Sequence, residues 1–277
     1  MANCNNQHIG QIPICDGDGL YMGGINDPPA AHLARGLAIA QTIVPLNGAG
    51  EPDPAGKLVL AGLGGMSNAR LEFDEFARTG RIQGACPIFF NGNRHQWDAQ
   101  RITDDPSGYW DWVFGQLSKR NITAPQVQVA WVKNSIKGQT EPSPAGEMVL
   151  ANCLEAILAA AIARFPNLKM IFLSSAIYSG YSTNPARHEP FAYWEGLGVR
   201  QVVMSRLETA SPWVAWGPYL WADGLTPRAA DGLDWLCSDF ADDGLHPADG
   251  AKSKVAELLY NFFTTFPTTA GWFLRHA

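Results

Sequence analysis

The chain has 277 residues, 20 Lys and Arg against 26 Asp and Glu, and a formal net charge of −6. Hydrophobic residues make up 46% and charged residues 17%, ample material for a large core, which excludes a disordered or low-complexity protein. A mildly acidic chain with no basic run lacks the clustered cations that phosphate contacts need, which argues against nucleic acid as a partner.

The first thirty residues are rich in Gly, Asn, Asp and Pro and read as an irregular lead-in ending at Pro28-Pro29. Leu33, Leu37, Ala40 and Ile43 then fall near helical spacing and predict a helix over 32–43. After turn material at 47–56, the apolar run from Lys57 is too short for a helix. It fits a buried parallel strand that stops at Gly62, Gly64 and Gly65. Residues 86–90 form a second short strand running into Asn91-Gly92-Asn93, and 108–119 read as a helix carrying Tyr109, Trp110, Trp112 and Phe114. A third strand, 126–132, ends at Lys133-Asn134. The strongest helical signal is 145–165, with Met148, Leu154, Ile157, Leu158, Ala161 and Phe165 on one side. A fourth strand at 169–173 ends at Ser174-Ser175, a helix covers 191–207, and 213–216 make a short fifth strand. Residues 249–263 are a helix whose stripe is Val255, Leu258, Leu259, Phe262 and Phe263.

Strands alternating with helices imply right-handed crossovers and a mostly parallel sheet of about five strands with helices on both faces, in one domain spanning 1–277. Ligands of such sheets sit beyond the carboxyl ends of the strands, so the strand exits are where chemistry is expected. No unbroken apolar run reaches the length of a membrane span. The polar first ten residues lack signal-peptide order, which leaves a cytoplasmic protein or one whose leader has been removed. Five cysteines (Cys4, Cys15, Cys86, Cys153, Cys237) include no C-x-x-C pair. That argues against structural zinc, while a Cys4–Cys15 bridge and scattered thiols both stay open. Ten Trp are to be divided between core filling and an aromatic-walled cleft.

Ser67 leaves the first strand near the start of a helix expected from about Arg70. Its hydroxyl can enter the cleft and its N–H can face a developing oxyanion, although many such serines only cap a helix. His246 sits in Asp243-Gly244-Leu245-His246-Pro247 before the last helix. A carboxylate three residues before an imidazole can fold back onto Nδ1–H and leave Nε2 free to take a hydroxyl proton. Asp243 is preferred over Asp242 for this by spacing. Asn134 can complete an oxyanion hole with the N–H groups of Ser67 and Gly92, or be a polar turn residue. No His pair has metal spacing, and no phosphate-binding glycine loop is present.

These blocks together resemble the SGNH (GDSL-like) hydrolases, which have a nucleophilic Ser after the first strand, a Gly after the second, an Asn after the third and Asp-x-x-His before the last helix. Here the blocks are Gly65-Met66-Ser67-Asn68, Asn91-Gly92-Asn93, Val132-Lys133-Asn134-Ser135 and Asp243-Gly244-Leu245-His246. Similarity to a less characterised bacterial branch runs through Asn26–His32 and Trp216–Gly224 as well. The resemblance implies a three-layer α/β/α sandwich with a flavodoxin-like sheet. It also implies Ser67 as nucleophile, His246 as general base, Asp243 as its partner, and Gly92 and Asn134 as oxyanion donors beside the Ser67 N–H.

The expected activity is hydrolysis of a short acyl ester, such as an acetyl ester of a carbohydrate, with no cofactor and no metal. Trp216, Tyr219 and Trp221 are candidates to stack on a sugar ring, and His95, Glu189 and Glu195 to line the cleft. Arg94 is a further candidate for substrate contact. His32 is expected to pack a helix, His188 to lie in a surface loop, and His8 and His276 near the chain ends. The alternatives are a non-catalytic carbohydrate-binding protein on this scaffold and an acyltransferase.

Overall fold

The computed structural model describes residue 4 and residues 8–138 and 143–274; His276 lies outside them. Five strands form one sheet: β1 (Val59–Gly65), β2 (Ile88–Arg94), β3 (Val127–Lys133), β4 (Met170–Leu173) and β5 (Trp213–Trp216). All pair in parallel, in the order β2-β1-β3-β4-β5. Every residue of β1 and β3 is buried; β1 reads as an apolar run for that reason, while β3 buries Gln128 and Lys133 among its apolar residues. β2 is an edge strand with partly exposed Asn91 and Arg94, and its polar end explains why it runs past the expected stop at Phe90.

The helices are α1 (Ala30–Ala40), α2 (Ser67–Ile82), α3 (Ala99–Asp104), α4 (Pro106–Lys119), α5 (Ala145–Arg164), α6 (Phe191–Ser205), α7 (Asp249–Thr265) and α8 (Ala270–Phe273). Right-handed crossovers in this strand order put α2 and α5 on opposite faces. α2 packs against α7 in one layer, and α5 packs against α3 and α6 in the other. The result is a three-layer α/β/α sandwich. Among the described residues α5 alone is long and apolar enough to cross a bilayer, with a mean hydropathy of 1.6, yet Leu150, Leu154, Ile157 and Leu158 are buried in the core.

Aromatic rings hold the layers together. Phe73 of α2 stacks on Trp131 of β3 with centroids 5.8 Å apart, and Phe76 stacks on Phe263 of α7 at 5.4 Å. Each fully buried aromatic is worth ~2–3 kcal/mol of transfer free energy. Trp110, Trp131, Trp213, Trp221, Trp235 and Trp272 are among the largest fully buried side chains, so tryptophan here mainly fills the core. His32 packs as expected, its ring stacked on Trp213 and its nitrogens 3.0 and 2.9 Å from the carbonyls of Leu207 and Val214. Cys4 is bridged to Cys237 rather than to Cys15, which ties the lead-in to the segment before His246.

The strand order reverses between β1 and β3, so the crevice for a ligand lies at their carboxyl ends. Gly64 pairs with Lys133 there, which sets Ser67 and Asn134 on either side of that crevice.

Candidate active site

The exit of β1 is a tight, strained turn. Gly65 lies so close to the Trp97 carbonyl that a Cβ would sit 1.3 Å from its oxygen. Met66 takes φ 70° and ψ 153°, a region that side chains other than hydrogen rarely enter and that recurs at functional sites. Ser67 is therefore the first residue of α2, three positions earlier than expected. The amides of this first turn have no helical acceptor and carry the positive end of the helix dipole.

The opposite wall is a short closed loop. Phe240 and Pro247 form an antiparallel bridge, and the Ala241 N–H donates to the His246 carbonyl at 2.9 Å. Gly244 has φ 66°, and a Cβ there would lie 1.8 Å from the Tyr181 carbonyl oxygen, so this turn requires glycine. Asp243 Oδ1 accepts the N–H groups of Leu245 and His246, each at 3.0 Å. Asp243 Oδ2 bonds His246 Nδ1. Burial alone would raise the Asp243 carboxyl, but these amides and the imidazole hold it below the usual aspartate value. Asp242, two residues earlier than the loop's glycine, is exposed.

His246 Nε2 lies 2.6 Å from Ser67 Oγ, across 179 positions of sequence. A carboxylate on Nδ1 only accepts, so the neutral ring carries its proton there and Nε2 accepts from the serine hydroxyl.

Asn134 leaves β3 and is 4% exposed. Its Oδ1 accepts the Ser135 N–H at 2.9 Å. Its Nδ2 is buried and has no hydrogen-bond partner among the described residues. Ser67, Asn134 and His246 line one cavity of about 290 Å³, together with His95, Gln96, Ile177, Arg187, Phe191 and Glu195.

Gly92 is not among those lining residues. It lies inside β2 opposite Leu63, and its carbonyl accepts the Tyr109 hydroxyl at 3.0 Å. β2 continues to Arg94, so the turn that reaches the cavity comes later, at His95 and Gln96, and Gln96 has φ 62°. Arg94 is drawn away: its guanidinium lies 4.1 Å from the centroid of the Trp97 ring and donates to the Gly108 carbonyl at 2.5 Å.

Trp216, Tyr219 and Trp221 do not line the cavity either, and all three are buried. Trp216 Nε1 donates to the Leu20 carbonyl at 3.0 Å, and Trp221 Nε1 to Glu189 Oε1 at 2.8 Å. Trp216 and Tyr219 border a separate cavity of about 300 Å³ beside the lead-in. Glu189 likewise stays behind the wall, accepting the Ser179 and Tyr193 N–H groups; burial pushes its carboxyl up to about 6. His188 bonds the Ser182 carbonyl and is not a lining residue.

Three cations border the cavity with no motif to announce them: Lys133, Lys137 and Arg187. Lys133 is buried against Glu72 of α2, with Nζ 2.6 Å from Oε1, and burial lowers its ammonium below the usual value despite the carboxylate. Arg187 ends a one-turn 3-10 helix, Pro185–Arg187, in a stretch without periodicity. Among the described residues no group of three or more His, Cys, Asp or Glu side chains is placed to hold a metal ion.

No family model matches this chain, and no curated protein matches it. Solved structures to which it is similar include a lipase/acylhydrolase from Enterococcus faecalis, at 10% identity and a TM-score of 0.47, covering 72% of this chain and 92% of that one. A GDSL-like lipase from Bacteroides thetaiotaomicron matches at 13% identity and a TM-score of 0.39, covering 74% and 86%. A salicylyl-acyltransferase from a tetracycline biosynthetic pathway matches at 15% identity and 0.45, covering 79% of this chain and 58% of that one. At such identities and TM-scores the chemistry rests on the distances above.

Proposed function

We propose that this chain is a serine ester hydrolase of the SGNH type, with Ser67 as nucleophile, His246 as general base and Asp243 as its orienting partner. The observation that carries this reading is the 2.6 Å separation of Ser67 Oγ and His246 Nε2, with Asp243 on the other ring nitrogen. A non-catalytic binding protein has no need of that hydrogen-bonded series.

In the reaction, His246 takes the Ser67 proton as Oγ attacks the ester carbonyl. Asp243 stabilises the imidazolium and keeps its orientation. The oxygen of the tetrahedral intermediate is held by the Ser67 N–H and by Asn134 Nδ2, a buried donor with no acceptor among the described residues. Each such donor is worth ~3 kcal/mol in the transition state. The third donor is assigned to the turn at Gln96 in place of Gly92. His246 then protonates the leaving alcohol, and water, activated by the same imidazole, releases the acid from Ser67.

A cavity of about 290 Å³ suits a short acyl group with a small alcohol. The sugar-stacking argument loses its ground, because Trp216, Tyr219 and Trp221 belong to the core and to the other cavity. The test is hydrolysis of p-nitrophenyl esters of graded chain length by wild type and Ser67→Ala, with added alcohols to detect acyl transfer. Acetate and butyrate are expected to turn over, longer esters poorly, and Ser67→Ala not at all. Turnover that survives the substitution refutes the assignment.

A further inference from the structure

Arg187 borders the cavity shared by Ser67, Asn134 and His246. Its guanidinium is partly buried, and burial lowers its pKa despite the neighbouring carboxylates of Glu195 and Asp98. Yet among the described residues it makes no hydrogen bond and no ion pair within 4.0 Å; only its backbone N–H is engaged, with the Asn184 carbonyl at 2.9 Å. Other arginines withdrawn from the surface are occupied: partly buried Arg206 pairs with Glu155, and buried Arg228 with Asp231. A guanidinium that lines a cavity with no protein carboxylate paired to it is suited to an anion supplied by the ligand.

The nearby carboxylates are spoken for. Asp98 accepts the N–H groups of Arg101 at 2.9 Å and Lys137 at 2.7 Å. Glu195 accepts the Ile136 N–H at 2.7 Å. Burial pushes the Glu195 carboxyl up to about 8, so near neutral pH it is mostly uncharged and leaves the positive charge of Arg187 in force. Of the other cations on the wall, Lys133 is already neutralised by Glu72, and Lys137 is exposed to solvent. The wall of the same cavity includes Ile136, Ala176, Ile177 and Phe191, apolar surface that suits an aliphatic spacer.

Resting on the ester-hydrolase reading, we infer that Arg187 is an anion subsite and that the natural substrate carries a carboxylate a short aliphatic distance from the scissile ester. A planar guanidinium binds a carboxylate through two parallel hydrogen bonds, which selects orientation as well as charge. The carboxylate can belong to the acyl part, as in a half-ester of a dicarboxylic acid, or to the alcohol part, as in an acylated hydroxy acid.

Two pairs of nearly isosteric probes separate these sources: monomethyl glutarate against its primary amide, and O-acetylglycolate against O-acetylglycolamide. In wild type, kcat/KM for the acid is expected to exceed that for the amide by at least about tenfold in one pair, and that pair identifies the side. The ratio should collapse toward one in Arg187→Gln, be partly kept in Arg187→Lys, and shrink with added salt. A ratio near one in wild type for both pairs, or a ratio unchanged in Arg187→Gln, overturns the inference. Binding of the same probes to Ser67→Ala, followed by calorimetry, gives a readout independent of turnover. Acid-over-amide binding that vanishes in Ser67→Ala/Arg187→Gln, with no hydrolysis by wild type, leaves the subsite standing and removes the hydrolase reading. Hydrolysis without acid preference does the reverse.

Discussion

The side-chain amide of Asn68 donates to the carbonyl of Leu245 at 2.9 Å, so the residue after Ser67 is fastened to the residue before His246. The other side of the loop is fastened as well, because the Thr183 N–H donates to the Asp243 carbonyl at 2.9 Å. The hydroxyl and the imidazole thus meet through supports on both flanks, and proton transfer needs little reorganisation.

Asp243→Asn tests the role of the carboxylate. Asn Oδ1 can still accept the amides of Leu245 and His246, so the loop should keep its shape. The imidazole loses the charge that holds its tautomer, and kcat should fall by ~10²–10⁴-fold with little change in thermal stability. Steady-state kinetics with a short ester checks this; a loss under about threefold contradicts it.

Asn134→Ala removes a donor that has no partner among the described residues. Folding stability should change little on that account, whereas kcat should fall by ~10²–10³-fold with KM nearly constant. Equal losses in stability and activity would make Asn134 a structural turn residue instead.

The Asp243–His246 pairing was legible because it is local: three residues and one glycine turn contain it. Strands β1, β4 and β5 are legible because strands buried on both faces are apolar throughout, and β3 because its apolar residues outweigh Gln128 and Lys133. β2 reads as ending at Phe90 because Asn91 and Asn93 look like turn residues; an edge strand accommodates both, so Gly92 lies inside β2 rather than at its exit. The start of α2 was missed because the conformation of Met66 has no sequence mark. α3 was missed because six residues, capped by Asp98, are too few to show a period. The density of aromatics around 213–221 cannot say which way the rings face, and core packing took them. The Cys4–Cys237 bridge spans 233 positions and follows from the fold alone.

Glu195 should make stability fall with rising pH. Its carboxyl titrates near 8 in the folded protein against an ordinary value of 4.5. The folded state therefore keeps a proton that the unfolded chain releases, and stability declines as pH climbs from the unfolded value toward the folded one. Burial raises this carboxyl most; the Ile136 N–H, Arg187 and Lys133 pull it down, and Glu189 pushes it up. Glu195→Gln keeps an acceptor for Ile136 and does not titrate. Its Tm relative to wild type should rise between about pH 5 and pH 8; a difference independent of pH contradicts the account.

The Glu72–Lys133 pair ties α2, which carries Ser67, to β3, which leads into Asn134. Glu72→Gln leaves a buried ammonium without its counter-ion and should cost ~3–5 kcal/mol of stability. Glu72→Leu combined with Lys133→Met should recover most of it, as denaturant unfolding would show. A single substitution that unfolds no more readily than wild type would mean the pair is not desolvated.

The most direct measurement is capture of the acyl-enzyme. A short p-nitrophenyl ester quenched in acid during turnover, followed by peptide mass analysis, should place the acyl group on Ser67, with none on Ser67→Ala and accumulation in variants slowed in deacylation. Ester hydrolysis accompanied by an acyl group on another residue, or by none on any residue under conditions where a burst of alcohol is seen, would contradict the account.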